Sequence, residues 1–231
     1  MKVVHMIKYR NTMTRLLHIV GSPRGSASVS KAVAEAYIAA FRSVSPAHEV
    51  DVLDVWHDAL PEFDEETMNA KYAALAGLER TDRQKEAWER VVSLAERICS
   101  ADILIISVPM WNFGIPYKLK MLIDIVSQKD CLFHFDTDGF SGMAQGRAVL
   151  VCARGLNYAT GSDTPETEFD FQKSYMLMWL RFIGIKLVDT IVVEQSLLGS
   201  EETQLLRENA KGEAEALANA HILSARQGIS R

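Results

Sequence analysis

The stretch Ala101-Asp102-Ile103-Leu104-Ile105-Ile106-Ser107-Val108, followed by Pro109-Met110-Trp111-Asn112-Phe113-Gly114-Ile115-Pro116, decides the fold. Its first half is almost continuously apolar and rich in β-branched residues. That is the pattern of a central parallel strand covered on both faces, since a strand with one wet face would alternate. Its second half is punctuated by two prolines and a glycine and reads as a loop. Upstream, Leu16–Val20 is a second short apolar run, stopped by Gly21-Ser22-Pro23. From Ser28 to Val44 the residues Val29, Val33, Ala36, Tyr37, Ala40, Phe41 and Val44 recur at helical spacing. Glu49–Val55 alternates as a strand, and Trp88, Val91, Val92, Ala95 and Ile98 mark one face of a helix over 85–99.

Downstream the same alternation continues. A helix runs from Pro116 to about Gln128, and residues 129–146, with Gly139, Gly142 and Gly146, read as irregular. Ala148–Ala153 is a buried strand, 155–167 a polar stretch, 168–183 a helix, Lys186–Glu194 the last strand and 200–224 the last helix. Five strands separated by helices predict an α/β fold with a doubly wound, five-stranded parallel sheet and helices on both faces, because right-handed crossovers put successive helices there. Residues 1–12 read as an N-terminal extension and 13–231 as one domain. Residues 56–84 are polar, and Asp64-Glu65-Glu66 reads as a solvated helix start, where carboxylates meet the positive end of the dipole.

Composition narrows the function. Apolar residues make up 48% of the chain and charged residues 24%, with a formal net charge of -5. Without a dense Lys/Arg block, the balance argues against a nucleic-acid partner and against an anionic membrane surface. No apolar run approaches the length of a membrane span, and the N-terminus lacks the core and cleavage site of a signal peptide. The three cysteines, Cys99, Cys131 and Cys152, fit no zinc or redox spacing. Sparse and odd in number, they suit a reducing compartment, and Cys99 and Cys152 read as small buried hydrophobes in a cytoplasmic protein.

In open parallel sheets ligands bind at the carboxyl ends of the strands, so the loops 21–30, 109–116 and 153–158 carry the functional expectation. The first, Gly21-Ser22-Pro23-Arg24-Gly25-Ser26-Ala27-Ser28-Val29-Ser30, leads into a helix N-terminus, where free N–H groups and serine hydroxyls suit a phosphate. It lacks both GxGxxG and GxxxxGK[ST]. Helix capping by Ser28 is the competing reading. In the second loop Trp111 and Phe113 offer a flat apolar wall, and Asn112 offers hydrogen bonds to the polar edge of a ring. A rigid loop that merely packs its aromatics is the alternative there.

The chain resembles the FMN-dependent NAD(P)H azoreductases, a branch of the flavodoxin-like quinone reductases. The likeness rests on Pro109–Pro116 with Lys118-Leu119-Lys120 and Ile123-Asp124 behind it, on Ser22-Pro23-Arg24 and Ser28-Val29-Ser30, on Leu60–Asp64, and on Phe182-Ile183-Gly184-Ile185. The resemblance implies that Ser22, Ser28, Val29 and Ser30 hold the FMN phosphate and ribityl chain. It implies that Pro109, Met110, Trp111, Asn112 and Phe113 line the ring, and that Ala153, Arg154, Gly155 and Leu156 meet its edge. The family's loop there reads Ser-Arg-Gly-Gly; in this chain the first serine and the second glycine are replaced by Ala153 and Leu156. By the same resemblance the chain passes two electrons from NADH or NADPH to a quinone or azo compound by a ping-pong mechanism. No dedicated catalytic side chain and no metal is expected. The resemblance also implies a homodimer with active sites at the interface, Phe133, Phe135 and the 155–171 stretch reaching the partner's site. Tyr158 reads equally as a flavin contact or a solvent-facing tyrosine, and His134 as an ordinary histidine beside a neighbouring site. An electron carrier of the flavodoxin type, or a non-enzymatic binding protein, are the rival readings; direct oxidation of NADH separates them from an enzyme.

Overall fold

The structure, a computed structural model, describes residues 13–44, 47–137, 139–197 and 201–226; the proposed extension 1–12 lies outside them. Five strands, β1 (Arg15–Val20), β2 (Glu49–Asp54), β3 (Ile103–Pro109), β6 (Arg147–Ala153) and β7 (Leu187–Val193), form one sheet in the order β2-β1-β3-β6-β7. Every neighbouring pair is parallel. The order doubles back between β1 and β3, which creates the switch point at which such sheets bind ligands.

The alternation of each strand divides the core in two. On one face Leu16, Ile103, Ile105, Val149, Val151 and Ile191 meet α1 (Val29–Val44) and α7 (Glu201–Arg226). On the other, Leu17, Ile19, Leu104, Ile106, Leu150 and Cys152 meet α3 (Asp82–Cys99), α4 (Tyr117–Val126) and α6 (Lys173–Phe182). The doubly wound expectation is therefore realised, with β3 buried along its length up to Pro109.

Three local expectations are refined. The polar segment 56–84 contains α2 (Glu65–Leu75), whose N-cap Asp64 accepts from the Thr67 N–H at 3.0 Å with Glu65 and Glu66 in its first turn. α3 starts at Asp82 rather than 85, because Thr81 and Gln84 form a capping box. The expected helix 168–183 is split into α5 (Glu166–Phe169) and α6, since Asp170 leaves the helical conformation and caps the second piece through the N–H groups of Gln172 and Lys173, both at 2.8 Å.

One expectation is overturned. Residues 129–146 are not irregular throughout: β4 (Phe133–Asp136) and β5 (Gly139–Gly142) form an antiparallel hairpin. Its Phe133 and Phe140 lie 4.9 Å from the Phe182 ring at the end of α6, and a side chain at Gly184 would put Cβ 2.6 Å from the Ala144 carbonyl. Cys152 is buried as expected, whereas Cys99 is only half-buried at the end of its helix. Among the described residues no helix is long and apolar enough to cross a membrane, and no cluster of His, Cys, Asp or Glu is placed to hold a metal.

Candidate active site

The loops after β1 and β3 meet at the switch point. Gly21 donates its N–H to the Ser107 carbonyl at 2.9 Å, and any Cβ there would stand 2.8 Å from that oxygen, so the approach requires glycine. Ser22, Ser28 and Ser30 are buried beside it. The Ser28 hydroxyl accepts from the Lys31 N–H at 3.3 Å and so caps α1. Capping and phosphate binding are compatible here, because the cap satisfies the third N–H of the helix and leaves the first two. Among the described residues the N–H groups of Val29 and Ser30 have no acceptor, and the first turn of α1 holds no carboxylate.

The loop after β3 closes into a two-residue turn. Trp111 donates to the Gly114 carbonyl at 3.0 Å and Gly114 donates back at 2.9 Å. Asn112 and Phe113 occupy its tip with φ of 47° and 69°. Both values lie in the left-handed region, as a type I′ turn demands. Asparagine tolerates that region; phenylalanine does not, and backbone strain of this kind gathers at functional sites. The turn leaves the N–H groups of Asn112 and Phe113 without acceptors among the described residues. Trp111 and Phe113 are each more than a third exposed, so the apolar wall faces outward rather than into the core. The Met110 N–H reaches the Ala153 carbonyl at 2.7 Å, which ties this loop to the one after β6.

Sequence reading missed the supports of this wall. Trp56, just past β2, lies 5.4 Å from the Trp111 ring and 5.2 Å from that of Tyr117, while its indole N–H donates to the Gly21 carbonyl at 3.0 Å. It therefore braces the phosphate-type loop and the aromatic loop together. Phe113 rests against Phe169 at 5.3 Å, and its carbonyl accepts from the Phe171 N–H at 2.9 Å. Gln172, fully buried, donates to the Val108 carbonyl at 2.8 Å.

The loop after β6 is organised around its arginine. Arg154 is buried at 0% exposure, with Glu166 at 2.8 Å, Asp170 at 2.5 Å and Glu194 at 3.2 Å, and its guanidinium lies 5.2 Å from the Tyr158 ring. Its N–H is spent on the Val193 carbonyl at 2.8 Å. Glu166 also takes Lys173, and both cations hold its carboxyl below the usual range, the Lys173 hydrogen bond first. Arg154 thus fastens the 155–172 segment over the sheet. Tyr158 is buried beneath it, which settles against the solvent-facing reading. Gly155 is covered by Leu197, whose Cδ1 would be 2.5 Å from an added Cβ, and Leu156 is partly exposed.

Two groups of candidates stay apart. Phe133 and Phe135 sit on the hairpin against the C-terminal end of α6, whereas the three loops sit at its N-terminal end, so they do not join this chain's own loop cluster. His134, between Asp130 at 2.5 Å and Asp136 at 3.1 Å, is held above the ordinary histidine range by those two carboxylates. Beneath the β1 loop, burial pushes His18 down to about 4, and its Nε2 meets the Ser107 hydroxyl at 3.0 Å. Burial pushes the Cys131 and Cys152 thiols up to about 11 and about 12, so neither supplies a thiolate nucleophile at neutral pH.

In keeping with this sheet order and these loops, a family model described as flavodoxin-like fold matches residues 14–218. The chain belongs to that family. It is 48% identical over 208 residues to FMN-dependent NADH:quinone oxidoreductase 9 of Burkholderia lata, covering 89% of this chain and 99% of that one. It is 45% identical over 217 residues to FMN-dependent NADH:quinone oxidoreductase 3 of Pseudomonas fluorescens, covering 93% and 100%. Among solved structures, an FMN-dependent NADH-azoreductase from Bacillus anthracis in complex with FMN superposes with a TM-score of 0.79 at 22% identity, over 90% of this flavodoxin-like chain and 99% of that one. At that identity the likeness speaks for the fold.

Proposed function

We propose that this protein is an FMN-dependent oxidoreductase that passes two electrons from NADH to quinones and to azo compounds, which it cleaves reductively. The observation that carries the reading is the strained turn at Asn112 and Phe113, whose two free N–H groups and outward aromatic faces stand across the switch point from the free N–H groups of Val29 and Ser30. The first pair of donors suits the polar edge of a flat ring, and the second pair suits a phosphate tail. The names of the curated relatives support the same assignment.

In this reading Ser22, Ser28, Val29 and Ser30 would hold the phosphate and ribityl chain, and Pro109 to Phe113 would line the ring, with Asn112 available to its polar edge. Ala153, Gly155 and Leu156 border it from the β6 loop. Ala153 offers no hydroxyl, and Leu156 adds apolar bulk that favours apolar acceptors. When bound, FMN supplies the reversible two-electron chemistry. The protein's part is to bind, orient and keep one face open, and no side chain here is required as a general acid because protons come from water. Donor and acceptor use that one face in turn, which gives ping-pong kinetics.

The homodimer belongs to the same proposal. Tyr117, Phe171, Met178 and Phe140 are more than half exposed, and an apolar groove of about 660 Å³ runs between Phe63, Ile115, Met121 and Tyr175. A partner copy covering this side would bring Phe133 and Phe135 toward the opposite site, in a cytoplasmic protein.

Purified protein is expected to take up FMN with flavin absorbance, to oxidise NADH directly, and to show parallel double-reciprocal lines with a quinone. Absence of FMN uptake at micromolar concentration refutes the assignment. Uptake without NADH oxidation indicates an electron carrier instead.

A further inference from the structure

α1 and α7 lie side by side on one face of the parallel sheet, so their first turns open at the same edge. Between those turns is a cavity of about 420 Å³ whose lining includes Ser26, Ser28 and Val29 from the β1 loop and Thr203, Arg207 and Lys211 from α7. Lys211 is already paired with Glu208 at 2.9 Å. Arg207 makes no ion pair among the described residues. One of its terminal nitrogens donates to the Ser196 carbonyl at 3.0 Å, while Nε is shielded from solvent and has no acceptor. The Arg207 side chain lines the same cavity as Ser28 and Val29 at the start of α1, where the Val29 N–H is free.

We infer that Arg207 is a cofactor-positioning residue, supplying from α7 the positive charge that balances the FMN phosphate. The inference rests on the FMN reading above and deepens it. Serine hydroxyls and helix N–H groups recognise a phosphate without neutralising it; a guanidinium does both, and does so with strong charge-assisted bonds. Arg24 of the 21–30 loop and Lys31 of α1 do not line this cavity, and Lys31 lies 3.7 Å from Glu35. The consequence is a preference for FMN over riboflavin that depends on a residue far along the chain from the loop that makes the other contacts.

The test compares the two flavins by fluorescence titration of the apoprotein. Wild-type protein is expected to bind FMN far more tightly than riboflavin. Arg207→Gln is expected to weaken FMN about tenfold or more, to leave riboflavin within about twofold, and to flatten the salt dependence of FMN binding. Arg207→Lys, which keeps charge without the fork, is expected to fall between, and it provides the same readout should the glutamine variant fold poorly. Equal weakening of FMN and riboflavin, or unchanged FMN binding in folded variants, overturns the role of Arg207 while leaving the flavin assignment standing. A wild-type protein that binds neither flavin overturns both.

Discussion

Asn112 separates the stability of the β3 loop from its use. Its φ of 47° is accessible to asparagine, free for glycine and strained for alanine. Asn112→Gly relieves what strain remains and is expected to raise the stability of the apoprotein by a few tenths to about 1 kcal/mol. Asn112→Ala, by contrast, forces a Cβ without a compensating amide into the left-handed region and is expected to lower it by about 1 kcal/mol. If Asn112 serves only the turn, binding should follow stability, with the glycine variant as good as wild type. If its amide faces the polar edge of the flavin, both variants lose affinity although their stabilities move in opposite directions. The lost hydrogen bond to a ring edge corresponds to about 1 kcal/mol, or roughly fivefold or more in Kd. Urea unfolding of apoprotein and FMN titration of the same preparations measure the two quantities. A glycine variant that is more stable and binds FMN undiminished refutes the placement of Asn112 at the ring.

Two further predictions concern the frame. His18 falls from 6.5 to about 4 on folding, chiefly through burial. The neutral form is preferred, so its contribution is intact above 6.5 and is lost as pH falls toward about 4; at roughly 1.36 kcal/mol per pH unit this amounts to about 3 kcal/mol. Urea unfolding at pH 7 and pH 4.5 should therefore show a steeper loss for wild type than for His18→Gln, and parallel losses would sink the argument. Arg154→Met leaves Asp170, Glu166 and Glu194 without their shared cation, and should cost about 3–5 kcal/mol in denaturant unfolding. It should also expose the 155–172 segment to hydrogen exchange, and an unchanged midpoint would show that Arg154 is not the fastening.

What the sequence made legible was local. The saturation of Ile103–Val108 with apolar residues required a strand covered on both sides, and Pro109, Gly114 and Pro116 punctuated the loop that follows; neither reading needed a distant partner. The hairpin Phe133–Gly142 was hidden because its strands are only four residues each, with glycine at both ends of the second, and because the aromatic contact that seats it, Phe182, comes from α6. The charge cluster around Arg154 was not legible, since its carboxylate partners stand 12, 16 and 40 residues away with no period to announce them. Trp56 was missed for the same reason, its indole reaching back 35 residues to Gly21. The tip of the β3 loop lies between these cases. Asn112 advertises a left-handed conformation, but Phe113 contradicts it, and the contradiction is resolved only by the contacts that hold the ring, Phe169 beside it and the Phe171 N–H on its carbonyl. The conformation that frees two N–H groups at the tip of the β3 loop is thus imposed on residue 113 by the segment that Arg154 fastens down, so those N–H groups depend on a charge cluster that touches neither of them.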